Sequence, residues 1–97
     1  MDKVALVTGS SSGIGFETAL ALARGGYHTY ATMRDTKKGD RILEIAKKEN
    51  LQIRVVELDV NNENTIKKAI KVILDEKKRI DVLVIMQAIS LLDVWRI

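Results

Sequence analysis

The sequence predicts an α/β fold built on a parallel β-sheet, and three observations lead to this prediction. Short β-branched runs alternate with amphipathic helical segments, in the order strand, helix, strand, helix, strand, helix, strand. The first run, residues 4–8, is apolar up to its last residue, as expected of a strand buried on both faces of a sheet. No proline or low-complexity tract interrupts the 97 residues, so a single domain is expected.

The first helix is predicted over residues 14–24, directly after a loop rich in glycine and serine. Its apolar face is expected to comprise the residues that recur at helical spacing, which are Ile14, Thr18, Ala21 and Leu22. The pair Gly25 and Gly26 is a natural stop for this helix.

The other elements follow from similar signals. Asp40 is expected to cap a second helix over residues 41–49, and Asn61 is expected to cap a third helix. The apolar residues of the second helix are Ile42, Ile45 and Ala46, and those of the third are Ile66, Ile70, Ile73 and Leu74. β-Branched and aromatic residues predict three further strands, over residues 27–33, 52–58 and 82–86.

The composition excludes several kinds of site and partner. The chain has no cysteine and one histidine, His28, so no disulfide and no metal site are expected. The lack of cysteine fits a cytoplasmic protein, and no segment has the length of a secretory signal or a membrane span. The net charge is +3, but acidic residues are interspersed with the basic ones, so neither nucleic acid nor a membrane is an expected partner.

The loop over residues 8–15 reads Thr-Gly-Ser-Ser-Ser-Gly-Ile-Gly and lies between the first strand and the first helix. A helix N-terminus offers unpaired backbone N–H groups and a positive dipole end, which together bind phosphate. Glycines let the backbone approach a pyrophosphate closely, and serine hydroxyls can donate to its oxygens. A tight turn without a ligand is the alternative, but the strand–helix context and the βαβ unit that ends at Met33 favour a dinucleotide site.

The spacing Thr-Gly, three residues, Gly, one residue, Gly resembles that of the short-chain dehydrogenases/reductases. Asp59 and Val60 are similar to the family's adenine-contacting Asp-Val, and residues 81–84 resemble the start of its fourth strand. The resemblance implies a Rossmann-type sheet of four strands in the order 3-2-1-4, with three helices. It also implies a set of cofactor-binding residues, which are Thr8, Gly9, Ser11, Ser12, Gly13, Ile14, Gly15, Arg34, Asp59 and Val60. Asp59 can instead end its strand and help to cap the following helix.

The charge at the end of the second strand predicts NADP rather than NAD as the cofactor. An acidic residue there would bind the ribose hydroxyls of NAD and repel a 2′-phosphate. Met33 and Arg34 stand there instead, and residues 30–34 are similar to the same segment of NADP-dependent steroid and retinol reductases. Arg34 can bind a phosphate in a bidentate pair, with Ser11 or Ser12 completing the pocket. The alternatives are that Arg34 is a solvated loop residue and that Asp35 serves the ribose of NAD.

The resemblance ends after Val84, where Ile-Met-Gln-Ala replaces the family's Asn-Asn-Ala-Gly. Loss of one A from the codons AAT AAT GCA GGC TAT gives ATA ATG CAG GCT AT, which reads Ile-Met-Gln-Ala-Ile, the sequence of residues 85–89. We therefore predict a partial dinucleotide-binding domain over residues 1–84 and a divergent, frameshifted tail over residues 85–97. A natural short protein with its own C-terminus is the alternative.

No catalytic residue is assigned, because the family's catalytic serine, its Tyr-x-x-x-Lys pair and its active-site asparagine have no counterpart in these 97 residues. Tyr27 and Tyr30 belong to the predicted second strand. The expected function is the NADP(H)-binding portion of an oxidoreductase whose intact relative moves hydride between NADP and an alcohol or carbonyl. A non-catalytic dinucleotide-binding module and a non-functional remnant are the alternatives. Self-association is expected through the open edge of the fourth strand.

Overall fold

The computed structural model describes residues 3–11 and 13–85. The elements are, in chain order, β1 (Val4–Val7), α1 (Gly13–Arg24), β2 (His28–Met33), a 3₁₀ helix (Thr36–Gly39), α2 (Asp40–Glu49), β3 (Ile53–Glu57), α3 (Glu63–Lys77) and β4 (Val82–Val84). Each predicted strand and helix is present, and the strands are shorter than predicted at one end or both. Residue 86, where the fourth strand was expected to end, lies outside the described residues.

The four strands form one parallel sheet in the order β3-β2-β1-β4, which confirms the predicted order. In the register, Val7 lies beside both Ala31 of β2 and Val84 of β4. All four residues of β1 and all six of β2 are buried, as expected for the inner strands of a sheet covered on both faces. The carboxyl ends of the four strands therefore lie along one edge of the sheet.

Helices cover the two faces unequally. On one face α1 and α2 pack on a large apolar cluster, which contains Val7, Phe16, Ala19, Leu20, Ala23, Ala31, Met33, Ile42, Ala46 and Ile53. On the other face α3 covers a smaller cluster of Val4, Leu6, Tyr30 and Ile73. Leu74, which was predicted to lie on the apolar face of α3, is 43% exposed. Within the described residues, no helix has the length and apolar character needed to cross a membrane.

The prediction of the apolar face of α1 was wrong for Ile14 and Ala21, which are exposed, whereas Leu22 is partly buried against the core. The buried side chains of this helix are Phe16, Ala19, Leu20 and Ala23, together with Gly15, whereas Ile14 is 71% exposed. Both sets recur at helical spacing, so periodicity alone does not choose between them. The close approach of Gly15 to the preceding loop fixes the rotation of the helix, and this rotation turns Ile14 outward.

Two predicted caps were also wrong, each by one position. The residue at the N-cap of α2 is Gly39, which provides no side-chain hydrogen bond, and Asp40 is already the first helical residue. Asn62 rather than Asn61 caps α3, because its side-chain oxygen accepts from the Asn64 N–H at 3.1 Å. Cap positions depend on the conformation of the chain entering the helix, which composition does not determine.

A polar network ties α3 to the sheet on its sparsely covered face. The buried Tyr30 hydroxyl donates to Glu76 Oε1 at 2.8 Å, and Arg54 binds the same carboxylate at 2.6 Å. Burial, and then the hydrogen bond to Glu76, raise the pKa of Tyr30 to about 12. This tyrosine has a structural partner in the sheet-to-helix packing, in line with its assignment to a strand.

Candidate functional site

The predicted site residues that the structure describes lie at the carboxyl edge of the sheet, in or next to the loops after β1, β2 and β3. The loop after β1 is fastened to both neighbouring strands, because the Thr8 N–H donates to Val84 O and the Ser10 N–H donates to Thr32 O, each at 3.0 Å. The Leu58 N–H donates to Met33 O at 2.9 Å and so places the end of β3 beside the end of β2. In open parallel sheets, ligands bind in the crevice outside this edge.

Two glycines give the loop its shape. Gly13 opens α1 with a φ of +65°, a conformation that costs an L-residue with a side chain about 1–2 kcal/mol. A Cβ at Gly15 would overlap the backbone carbonyl of Gly9, so only glycine allows the first turn of α1 to lie this close to the loop. The motif therefore has a steric requirement that an ordinary turn before a helix lacks.

The serines of the loop differ in their environments. Ser10 is fully buried and its hydroxyl donates to Val7 O at 2.8 Å, while Ser11 is half-buried. Thr8 is buried as well, at 3% exposure. Ser12, a predicted cofactor residue, lies outside the described residues. The structure thus leaves Ser11, together with the exposed Ile14, as the described side chains of this loop that can reach a ligand.

Arg34 follows β2 directly and is exposed at the carboxyl edge. The next residue, Asp35, has a different role, because its carboxylate oxygen Oδ1 accepts from the Lys37 N–H at 3.0 Å and caps the 3₁₀ helix. Sequence reasoning left Asp35 open as a ribose ligand. In the folded chain its carboxylate holds the turn that follows Arg34.

Asp59 and Val60 are half-buried in the turn between β3 and α3. Asp59 Oδ1 accepts from the Asn61 N–H at 2.9 Å, and the Asp59 N–H donates to Thr65 Oγ1 at 2.8 Å. The same hydroxyl donates to Asn62 O at 2.7 Å. Asp59 therefore shapes the entry into α3, as the structural alternative expected, and it still lies at the edge where the predicted site is built.

Two features of this edge were missed by sequence reasoning. The guanidinium carbon of Arg41, in α2, lies 4.7 Å from the centroid of the Phe16 ring, a cation–π contact that joins the first turns of α1 and α2. A shallow depression beside it is lined in part by Gly13 and Ile14. The second feature is the buried position of Ser10. No local pattern distinguishes Ser10 from its two serine neighbours, and none pairs Arg41 with Phe16.

The fold and the site together define a class of protein. A doubly covered parallel sheet, with a glycine-dependent turn between its first strand and first helix at the carboxyl edge, is the Rossmann-type α/β architecture.

Comparison with known proteins specifies the family. The profile described as short chain dehydrogenase matches residues 3–91, and the chain belongs to this family. It is 40% identical over 83 residues to a short-chain dehydrogenase/reductase of Penicillium rubens, covering 86% of this chain and 24% of the relative. It is 37% identical over 84 residues to retinol dehydrogenase 11 of Homo sapiens, covering 84% of this chain and 26% of the relative.

Among solved structures, a metagenomic short-chain oxidoreductase in complex with NADP superposes with a TM-score of 0.79 at 28% identity, covering 84% of this chain and 37% of that chain. The chain thus spans about a quarter of the length of the curated relatives it matches. The fold that the family resemblance implied is confirmed. The activity that it implied belongs to complete enzymes, which are about four times as long as this chain.

Proposed function

We propose that residues 1–84 are the NADP(H)-binding portion of a short-chain dehydrogenase/reductase. The observation that carries the proposal is the closure of α1 on the loop, where Gly15 lies against the Gly9 carbonyl at the carboxyl end of β1. This closure brings the first turn of α1 to the edge where Arg34 and Asp59 also lie. No acidic residue lies in the first turn of α1, so its positive dipole end faces an approaching phosphate without a competing carboxylate.

The preference for NADP over NAD rests on charge at the end of β2. Arg34 is exposed and can take a 2′-phosphate in a bidentate pair. Asp35, the acidic residue next to Arg34 in the chain, accepts from the Lys37 N–H through Oδ1 and caps the 3₁₀ helix. Lys37 and Lys38 in that helix add positive potential within a few residues. Ser11 supports the pocket from the loop, and the proposal extends to Ser12 and Val60 and to the backbone of Thr8 as further cofactor contacts.

The intact relative is proposed to move hydride between NADP and an alcohol or carbonyl. The cofactor supplies the hydride chemistry, and the residues of this chain bind and orient it. The proposed boundary after residue 84, the divergent tail over residues 85–97 and a cytoplasmic location stay predictions from the sequence.

Cofactor titration tests the proposal directly. We expect NADPH to bind the purified chain with a dissociation constant at least about tenfold below that of NADH, because an arginine–phosphate pair contributes about 1.5–3 kcal/mol. Quenching of protein fluorescence or calorimetry measures both constants in the same buffer. Equal or tighter binding of NADH would contradict the NADP assignment, and the absence of binding by either cofactor would contradict the proposed site.

We also propose that the chain self-associates through the outer edge of β4. Among residues 3–11 and 13–85, β4 pairs with β1 alone, so the other side of its backbone has no strand partner within this part of the chain. Leu83 is 56% exposed and Ile85 is 62% exposed, which adds apolar side chains beside that edge. Leu83 lies in register with Leu6, on the face that α3 covers only in part.

Substitution of Leu83 by lysine should abolish this association, because a charge beside an open strand edge blocks edge-to-edge pairing. Sedimentation velocity at increasing concentrations should show the wild type growing in mass and Leu83→Lys remaining monomeric. Leu43→Lys is the matched control, since Leu43 is an exposed leucine on α2, at 39% exposure. A wild-type chain that stays monomeric and unfolds cooperatively would exclude the open-edge interface.

A further inference from the structure

Two buried hydroxyls converge on one backbone oxygen beneath the glycine loop. Ser10 Oγ donates to Val7 O at 2.8 Å, and Thr32 Oγ1 donates to the same oxygen at 2.9 Å. Ser10 and Thr32 are both 0% exposed, and Val7 is the last residue of β1. A third bond closes the arrangement, because the Ser10 N–H donates to Thr32 O at 3.0 Å. We call these three residues the loop anchor.

The loop anchor joins two segments that are distant in sequence. Ser10 is the third residue of the glycine loop, and Thr32 lies two residues before Arg34, near the end of β2. A main-chain bond between the strands would hold β1 against β2, but it would not determine where the loop beyond β1 turns. The Ser10 contacts do this, since they fold the loop back onto the strand end that carries Arg34.

Because the hydrogen bonds of the loop anchor are buried, the loss of either hydroxyl is costly. Water does not reach the hydroxyls or the Val7 carbonyl, so a lost partner is not replaced by solvent. A cofactor that binds the loop through its pyrophosphate and Arg34 through its 2′-phosphate needs both at a fixed separation. In the described residues, the hydrogen bonds of the loop anchor connect the glycine loop to the strand end next to Arg34.

We propose that Ser10 and Thr32 are positioning residues, which hold the glycine loop at a fixed place relative to Arg34 and so set the preference for NADPH over NADH. This inference rests on the proposed cofactor function. Neither residue contacts the cofactor in this proposal; each acts through the backbone that it holds.

The test compares Ser10→Ala and Thr32→Val with Thr29→Val in the full chain. Thr29 is the matched control because it lies in the same strand as Thr32 and is 1% exposed. Its hydroxyl also donates to a backbone oxygen, Tyr27 O, at a distance of 3.2 Å, but this bond does not involve the glycine loop. We expect the two anchor variants to bind NADPH about tenfold more weakly and NADH about twofold more weakly, as loss of one buried hydrogen bond implies. Thr29→Val should keep the wild-type ratio of the two affinities.

An unchanged NADPH-to-NADH ratio in both anchor variants would overturn the inference, even if their melting temperatures fall. Amide hydrogen exchange provides a second readout that needs no cofactor. Faster exchange at the Ser10 N–H in Thr32→Val than in Thr29→Val supports the loop anchor, and equal exchange overturns it. If the wild type binds neither cofactor, the proposed function fails and the exchange rates alone decide whether Ser10 and Thr32 hold the loop.

Discussion

Replacing Gly15 with alanine should abolish binding of both NADPH and NADH and destabilise the chain by about 3 kcal/mol. The added methyl group overlaps the Gly9 carbonyl, which is backbone and has no rotamer to escape into. The helix must therefore move away from the loop, and the loop amides then lose their alignment with a phosphate.

Gly25→Ala is the matched control for this prediction. A Cβ there meets the Leu22 and Ala21 carbonyl oxygens at 3.4 and 3.5 Å, which is ordinary contact. Thermal unfolding and cofactor titration of both variants should show a large effect at Gly15 and a small one at Gly25. If Gly15→Ala keeps NADPH affinity within a few-fold of wild type, the close approach of helix to loop is not what builds the site.

Replacing Arg34 with alanine should reduce NADPH affinity by about 10- to 100-fold and leave NADH affinity within about twofold. The reason is that only NADPH carries the 2′-phosphate to which the guanidinium is proposed to bind. Because Arg34 is exposed, its removal should not change the thermal stability of the chain appreciably. Titrations with both cofactors at one ionic strength measure the effect.

Lys48→Ala controls for the loss of one positive charge, since Lys48 is exposed in the last turn of α2, away from the carboxyl edge. It should lower NADPH affinity by far less than Arg34→Ala does. A parallel fall of NADPH and NADH affinity in Arg34→Ala would move Arg34 from the 2′-phosphate to a contact that both cofactors share. An equal effect of Lys48→Ala would reduce the role of Arg34 to general electrostatics.

The position of the candidate site was predictable from the sequence because its signals are local. Glycine spacing between a buried strand and a helix predicted residues 8–15 as the candidate site, and the absence of an acid at Met33 favoured the proposed preference for NADP. What each side chain does there was not predictable. Asp35 is acidic and therefore a possible ribose ligand, but in the fold its carboxylate accepts from the Lys37 N–H and caps the 3₁₀ helix. Only the path of the chain after β2 shows that Asp35 caps this helix.

The sequence by itself determined the order of the elements along the chain and, through alternation of strands and helices, the parallel orientation of the strands. The strand order 3-2-1-4 was implied by the family resemblance. Hydrophobic periods of 2 and 3.6 residues, and positions that only glycine can occupy, are local features of a few residues. They can therefore be recognised in the sequence without knowledge of the fold. The tertiary structure decided which face of α1 is buried, which residues cap the helices, and that Ser10 and Thr32 share the Val7 carbonyl. The shared Val7 carbonyl depends on a contact across 25 residues of chain, between Thr32 and Val7, and no local pattern encodes the partner at that distance. The buried face of α1 depends in the same way on packing against other elements, and the caps depend on how the chain enters each helix.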